Sequence, residues 1–253
     1  MALLFAVIRA LLVASALTAL IMVDIGVPDE DYWSDKDYII YVALGMAFLS
    51  YVPGGLAQWY LRRNQAESAY KYHKNIQASL SAALVEVTEN TKSSWREVGV
   101  HAFWIRKSVL GRRLVNIGGV RLGATPSMDR PAWKRGKGVI GRAWSIEDKA
   151  TANWREFHEI NRALGKEEWN KKEHEFRFGM SWNELTQSSD YDAIVAYPIV
   201  NLSTNEIVGC VSIDGPLSRE EYDGDKVGTV IQQLAQAVLK AGEPPHYWFQ
   251  QRV

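Results

Sequence analysis

Two long runs of apolar residues near the N-terminus constrain the fold most strongly. Residues 2–23 contain Arg9 as their only charged side chain, and residues 38–61 contain none. A helix rises about 1.5 Å per residue, so each run is long enough to cross a hydrocarbon core of about 30 Å. The sequence therefore predicts a transmembrane hairpin of two helices. Pro53 lies inside the second run and should bend that helix, because proline has no N–H to donate.

The distribution of charge predicts an orientation for this hairpin. The formal net charge is zero, but residues 1–61 hold six acidic and two basic side chains, which leaves the remainder with a charge of +4. Arg62 and Arg63 follow the second run directly, and the positive-inside rule places such residues in the cytoplasm. We predict a multi-pass protein of the inner, cytoplasmic membrane that contacts membrane lipid. Its N-terminus and its C-terminal domain would be cytoplasmic, with the acidic loop 24–37 outside.

Two other interpretations of the apolar runs remain open. The first run resembles a signal peptide in having small residues at Ala14, Ser15 and Ala16, but no basic segment precedes it. Two buried helices of a soluble core are a further alternative, although such helices usually keep a polar face. Neither interpretation changes the reading of the chain beyond residue 61.

Residues 62–94 are polar and predict a connecting helix between the apolar runs and the domain that follows. Small and apolar side chains recur there at alternating steps of three and four, which is the spacing of a coiled-coil seam. One interpretation is a signalling helix that pairs two protomers, and the other is an amphipathic helix packed on the domain. The residues of this seam are Ala66, Ala69, His73, Ile76, Leu80, Ala83 and Val87.

Residues 95–241 alternate short strand patterns with helical ones. Strands are predicted at 98–105, 113–122, 192–200 and 206–214, the last two joined by a short loop as in antiparallel pairs. A closing helix is predicted at 225–241. The fold class is therefore α+β with an antiparallel sheet flanked by helices. Residues 242–253 form a C-terminal tail.

Three motifs in this region resemble the GAF domain family. They are residues 136–143 (GKGVIGRA), 196–199 (AYPI) and 207–214 (IVGCVSID), and the resemblance covers about residues 76–241. GAF domains are small-molecule sensors and dimerisation modules, so the resemblance implies a GAF-like sheet. It also implies a pocket between that sheet and the segment joining the third and fourth strands, here residues 145–190.

Seven of the ten tryptophans lie between residues 95 and 182, which favours an aromatic pocket with polar tips. The alternative is that these rings only fill a lid or a dimer contact. The charged stretch 166–177 has mixed signs and is typical of a solvated helix face. The candidate ligand-binding residues are Trp104, Arg142, Trp144, Trp154, Phe157, His158, Trp182 and Tyr197.

Several ligand and reaction classes are not expected. The resemblance lacks the Asn-Lys-x-Phe-Asp-Glu pattern of cyclic-nucleotide-binding members, and Cys210 lies in a predicted strand rather than in the helical region that holds a bilin. A single cysteine excludes both a disulfide scaffold and an intramolecular thiol exchange. The five histidines lack metal-ligand spacing, and we expect no metal site, no catalytic residues and no nucleic-acid partner.

The predicted function is non-enzymatic sensing by a membrane-anchored GAF-like protein that binds a small ligand or a partner protein. The signal would pass through the connecting helix, and the connecting and closing helices would form a homodimer. The alternative function is a membrane effector that oligomerises and permeabilises the bilayer when its GAF-like domain senses a signal. The sequence does not identify the ligand, a cofactor or the output protein.

Overall fold

The computed structural model describes residues 2–27, 29, 32, 37–108, 111–123, 133–188 and 191–245. The chain separates into two compact units, Met1–Glu67 and Ser68–Val253. Residues 28, 30, 31 and 33–36 of the predicted acidic loop at 24–37 lie outside the described residues, as does the predicted tail from residue 246 onward.

The first unit contains helix α1, Ala2–Asp24, and the beginning of helix α2, Asp37–Thr91. Within the described residues, neither helix combines the length and the apolar character that a membrane span requires. The predicted transmembrane hairpin is therefore unsupported, and the predicted inner-membrane localisation is wrong. The second apolar run was also expected to be a separate helix ending at Leu61, whereas α2 continues without a break through Arg62 and Arg63.

The second unit is built around one antiparallel sheet of five strands in the order β2-β1-β5-β4-β3. The predicted hairpin of two late strands is confirmed as β4 and β5, which pair from Ala193↔Gly215 to Asn201↔Glu206. The α+β class with an antiparallel sheet is also confirmed. The strands are β1 (Gly99–Ser108), β2 (Gly111–Arg121), β3 (Ala150–Asn153), β4 (Ala193–Asn201) and β5 (Glu206–Gly215).

Helices cover both faces of this sheet. One face, here called the helix-pair face, packs against α2 and the closing helix, which begins at Asp225 as the sequence predicts. The other, here called the covered face, packs against the helices between β2 and β4. The remaining helices are α3 (Gly138–Ile146), α4 (Trp154–Lys171), α5 (Trp182–Gln187), α6 (Arg219–Asp223) and α7 (Asp225–Ala241).

Helix α2 supplies part of the core of the second unit. Ile76, Leu80 and Val87 are fully buried in the cluster that also contains Val211 and Ile231. These side chains therefore pack inside the domain, as the interpretation of this segment as an amphipathic helix packed on the domain predicts. The domain consequently begins inside the segment that the sequence assigned to a connector, since the boundary between the units lies at Glu67 and Ser68.

The segment that crosses the covered face is called here the covering segment, residues 154–188. Its first helix, α4, is capped by the Asn153 side chain, which accepts a hydrogen bond from the Glu156 N–H, and it breaks at Gly165, where φ is 82°. Its second helix, α5, begins at a capping box formed by Ser181 and Glu184. These local signals fix where the covering helices start and where the chain turns.

Candidate functional site

The structure brings four of the eight predicted site residues into one hydrophobic cluster on the covered face. Trp144 from α3 and Trp154 from α4 are buried there, and Phe157 and Trp182 pack against them while staying partly accessible. The same cluster includes Cys210 of β5, so the covering segment lies directly on the sheet.

Two further predicted residues lie beside this cluster. His158 is buried on α4. Arg142 is exposed on α3, and its guanidinium carbon lies 5.1 Å from the centre of the Phe178 ring. A cation over an aromatic face is attracted by the ring, so Phe178 holds this arginine at the rim of the cluster.

Trp104 and Tyr197 do not belong to this site, because they lie on the opposite, helix-pair face of the sheet. Successive side chains of a strand point to opposite faces. In β1, Phe103 and Ile105 therefore face the covering segment, whereas Trp104 faces α2 and α7. The predicted strand 98–105 has no polar residue except His101, so its pattern does not show which set of side chains faces the covering segment.

Five rings form the aromatic cluster of the covering segment: Trp154, Phe157, Trp169, Phe178 and Trp182. Phe157 lies 5.0 Å from Phe178 and 5.9 Å from Trp169 between ring centres, both edge to face. Trp154 lies 5.5 Å from Phe178, and Trp169 lies 6.5 Å from Trp182. This edge-to-face geometry is the preferred arrangement of aromatic pairs and makes the cluster a rigid surface.

The indole N–H groups of Trp154 and Trp169 differ in their hydrogen bonding. The Trp154 indole N–H donates to the Ser188 carbonyl oxygen at 2.8 Å. Trp169 is completely buried, and its indole N–H has no hydrogen-bond partner within the described residues. The Nε–H groups of Arg177 and Arg121 are likewise buried without a partner in the described part of the chain. A buried donor without an acceptor costs free energy, so such groups indicate a place for a ligand or a water molecule.

A second group of polar residues on the covered face is called here the charged trio: His101, Arg121 and Asp214. Asp214 is 2% exposed, and its carboxylate forms an ion pair with the Arg121 guanidinium. The other carboxylate oxygen lies 3.0 Å from His101 Nε2. The trio adjoins the hydrophobic cluster, because the His101 ring lies 6.4 Å from the Phe103 ring.

Strand pairing positions the trio. Gly99 of β1 lies between Arg121 of β2 and Asp214 of β5 in the register of the sheet, and His101 follows on the same face. A side chain at Gly99 would meet all three members, since its Cβ would lie 2.7 Å from Asp214 and 2.8 Å from Arg121. The absence of a side chain at this position therefore lets the ion pair close across β1.

His101 is neutral in this environment. Burial, and to a smaller extent the positive charge of Arg121, lower the pKa of His101 to about 4. The neutral ring can donate from Nε2 to Asp214 Oδ1. Its Nδ1 packs over Gly119, where a Cβ would lie only 2.6 Å away. Ser212 is the register neighbour of His101, but neither ring nitrogen is directed at it, so the trio is not a Ser-His-Asp catalytic set.

The neutral His101 gives a testable dependence of stability on pH. Because its folded pKa of about 4 is below the ordinary value of 6.5, the unfolded chain binds more protons between these values, and stability is lost as the pH falls through this window. Lowering the pH from about 7.5 to about 5 should reduce the free energy of unfolding by about 2 kcal/mol because of His101. Urea unfolding at both pH values measures it.

The variant H101Q retains an N–H donor for Asp214 but cannot gain a proton, so its pH-dependent loss should be about 2 kcal/mol smaller than that of the unmodified chain. The matched control is H174Q, since His174 is exposed, and it should keep the original dependence. Equal pH dependence in H101Q and in the unmodified chain would contradict a neutral His101.

The glycine-rich motif of residues 136–143 ties the sheet region to the covering segment. Gly138 adopts a φ of 64°, and its N–H donates to the Phe178 carbonyl oxygen at 2.7 Å. The Lys137 ammonium forms an ion pair with Glu184 of α5. The basic residue next to the helix start is thus already paired with a carboxylate, which leaves little positive charge there for a phosphate.

The candidate site contains residues that the sequence did not single out. Trp169 lies within the stretch 166–177, which the sequence predicts to be a solvated helix face. The structure buries its ring completely near the end of α4. His101 is the only polar residue of the predicted strand 98–105. The local sequence around Arg121 and Asp214 does not indicate that they pair, because their pairing depends on the order of the strands in the sheet.

Comparisons with known proteins give distant structural likenesses. No protein-family model matches the sequence, and no curated protein matches it. Among solved structures, the chain is similar to a protein from Burkholderia vietnamiensis described as a GAF sensor, with 12% identity over 69% of this chain and 89% of the other, and a TM-score of 0.36.

Two further likenesses are of the same quality. A GAF domain from A. aeolicus has 15% identity over 70% of this chain and 99% of its own, with a TM-score of 0.31. An IclR transcriptional regulator from Alicyclobacillus acidocaldarius has 16% identity over 92% of this chain and 98% of its own, with a TM-score of 0.38. The B. vietnamiensis and A. aeolicus structures carry descriptions that name the GAF family, which the sequence motifs resemble. At these TM-scores the likenesses carry no argument, and family membership stays a proposal.

Proposed function

We propose that residues 68–245 form a GAF-like ligand-binding domain with a sensory or regulatory role. A small molecule would bind between the covered face of the sheet and the covering segment. The observation that carries this proposal is the set of buried N–H groups of Arg121, Trp169 and Arg177, which have no hydrogen-bond partner among the described residues. Native proteins leave few buried donors unpaired, so a group that supplies acceptors is the simplest explanation.

The unpaired atoms also restrict the chemical class of the ligand. All three are donors, and two belong to guanidinium groups, so the ligand would carry carbonyl, carboxylate or similar oxygen atoms. The rings of Phe157 and Trp182 offer an apolar and planar surface beside the Trp169 indole. An acceptor-rich molecule with a flat apolar body would satisfy both features.

A binding role is favoured over a catalytic one by the same contacts. Cys210 is fully buried in β5, and burial raises the pKa of its thiol, so it stays protonated and unreactive. The two ring nitrogens of His101 lie against Asp214 and Gly119. We therefore propose that ligand occupancy, and not turnover, is the output of the site.

Helix α2 would transmit this occupancy. Its residues Ile76, Leu80 and Val87 share one hydrophobic cluster with β1 and β5, the strands that also carry His101 and Asp214. A ligand bound on the covered face would contact β1 and β5 on the side opposite to α2. The partner that receives the signal, and the predicted pairing of two protomers, remain proposals.

Native mass spectrometry of the full chain, purified under non-denaturing conditions, tests the proposal directly. We expect an added mass corresponding to a small molecule, which can be released, identified and titrated back. The variant W169F keeps an aromatic ring but loses the indole N–H, and the loss of one hydrogen bond should weaken binding about tenfold.

The matched control is W95F, because Trp95 is half exposed and lies outside the aromatic cluster. It should bind the recovered molecule as the unmodified chain does. A chain that carries no small molecule, or equal affinities for W169F and W95F, would overturn the assignment of the ligand to this face.

A further inference from the structure

The end of the β1–β2 hairpin forms a two-stranded ribbon that carries a concentrated positive charge. β1 pairs with β5 only from Gly99 to Trp104, whereas its pairing with β2 continues to Ser108↔Gly111. Residues 106–108 and 111–113 therefore extend beyond the pairing with β5, and are called here the basic ribbon.

Four cations face one another in the basic ribbon. The register pairs Arg106 with Arg113 and Lys107 with Arg112. Residues 99–121 contain no aspartate or glutamate, and Lys107, Arg112 and Arg113 are exposed and form no ion pair with a described residue. Like charges directly opposite each other on a sheet are unfavourable, so the fold gains nothing from this arrangement by itself.

The charges lie on both faces of the ribbon. Successive side chains of a strand alternate, so Arg106 and Arg113 project from one face while Lys107 and Arg112 project from the other. A flat anionic surface would meet only one of these pairs. A groove with a phosphate backbone along each wall would meet both, and the major groove of B-form DNA has the width to admit a two-stranded ribbon.

From this geometry we propose that the basic ribbon binds double-stranded DNA, with its two cation pairs contacting the phosphates on the two sides of the major groove. No nucleic-acid partner is expected from the sequence, because its basic residues do not cluster with exposed aromatic residues. Strand pairing brings the four cations of the basic ribbon together. The contacts are to phosphates, so this binding does not depend on base sequence.

The test uses the full chain and a fluorescent DNA duplex of about 20 base pairs of mixed sequence, followed by anisotropy at increasing salt. With four phosphate contacts, the association constant should fall about 150-fold between about 50 and about 200 mM salt. The variants K107Q/R112Q and R106Q/R113Q each leave one cation pair. For each variant, the association constant should fall only about tenfold over the same change of salt.

The matched control is K226Q/K240Q, which removes two exposed cations from α7. It should bind the duplex as the unmodified chain does. Circular dichroism of each variant establishes that the fold is retained, and a retained fold with lost binding supports the proposal.

Two further probes separate duplex DNA from other anions. A single strand of the same sequence and vesicles containing phosphatidylserine should both bind at least tenfold more weakly than the duplex. Equal or tighter binding to either probe, an equal loss in K226Q/K240Q, or no salt-dependent binding of the duplex would overturn the proposal.

Discussion

The variant D214N is expected to lower the free energy of unfolding by about 3–5 kcal/mol, the cost of leaving a buried charge without its partner. Asp214 is almost fully buried and balances the Arg121 guanidinium while accepting from His101. Asparagine has nearly the same shape but no charge, so the Arg121 guanidinium, whose side chain is 9% exposed, would lose its carboxylate partner. Urea or guanidinium unfolding followed by far-ultraviolet circular dichroism measures the change.

The matched control for D214N is E168Q. Glu168 forms an ion pair with Lys171 at 2.6 Å, but both side chains are more than half exposed. An exposed pair at this helical spacing contributes at most about 0.5 kcal/mol, so E168Q should be close to neutral. If D214N also cost less than about 1 kcal/mol, Arg121 would have to reach solvent or another acceptor, and the charged trio would not be a buried ion pair.

The variant G141A is expected to destabilise the protein by about 3 kcal/mol through overpacking. A Cβ at Gly141 would lie 2.1 Å from the Lys134 carbonyl oxygen, which is a backbone atom and cannot rotate away. The Gly141 carbonyl also accepts from the Gly136 N–H at 2.7 Å, so the two segments cannot separate without breaking this bond. Thermal unfolding and chemical unfolding both report the loss.

The variant G228A provides the comparison, because Gly228 is also a buried glycine inside a helix. Its Cβ would have only the Lys149 ammonium nearby, at 3.8 Å. Alanine is the better helix former by up to about 1 kcal/mol, so G228A should be neutral or stabilising. A similar loss in both variants would show that any side chain at a buried helical glycine is harmful, and that the contact with Lys134 does not determine the effect.

The elements of the α+β domain were largely predictable because their signals are local. The closing helix follows from Val227, Ile231 and Leu234 on one face, and the hairpin of β4 and β5 follows from two apolar runs joined by a short loop. The predicted membrane hairpin is unsupported, and the predicted inner-membrane localisation is wrong. Apolar runs identify helices, but the structure joins the second run to residues 62–91 in one helix and finds no spanning helix among the residues it describes.

The candidate site was only partly predictable. Trp154, Phe157 and Trp182 could be found because they cluster in one segment of sequence. The face on which Trp104 and Tyr197 lie depends on strand register, and β1 is apolar on both sides. Arg121 and Asp214 come together only because β1 lies between β2 and β5, an order that no local pattern contains.

Strand β5 also determines where the chain can change in length. Val211 and Ile213 face α2 and α7, whereas Ser212 and Asp214 face the covering segment. One residue inserted before Val211 would reverse the faces of the residues that follow it, placing the Asp214 carboxylate on the apolar helix-pair face and Ile213 beside Arg121. Insertions and deletions are therefore confined to connections such as residues 202–205, and β5 can vary in side chains but not in number of residues.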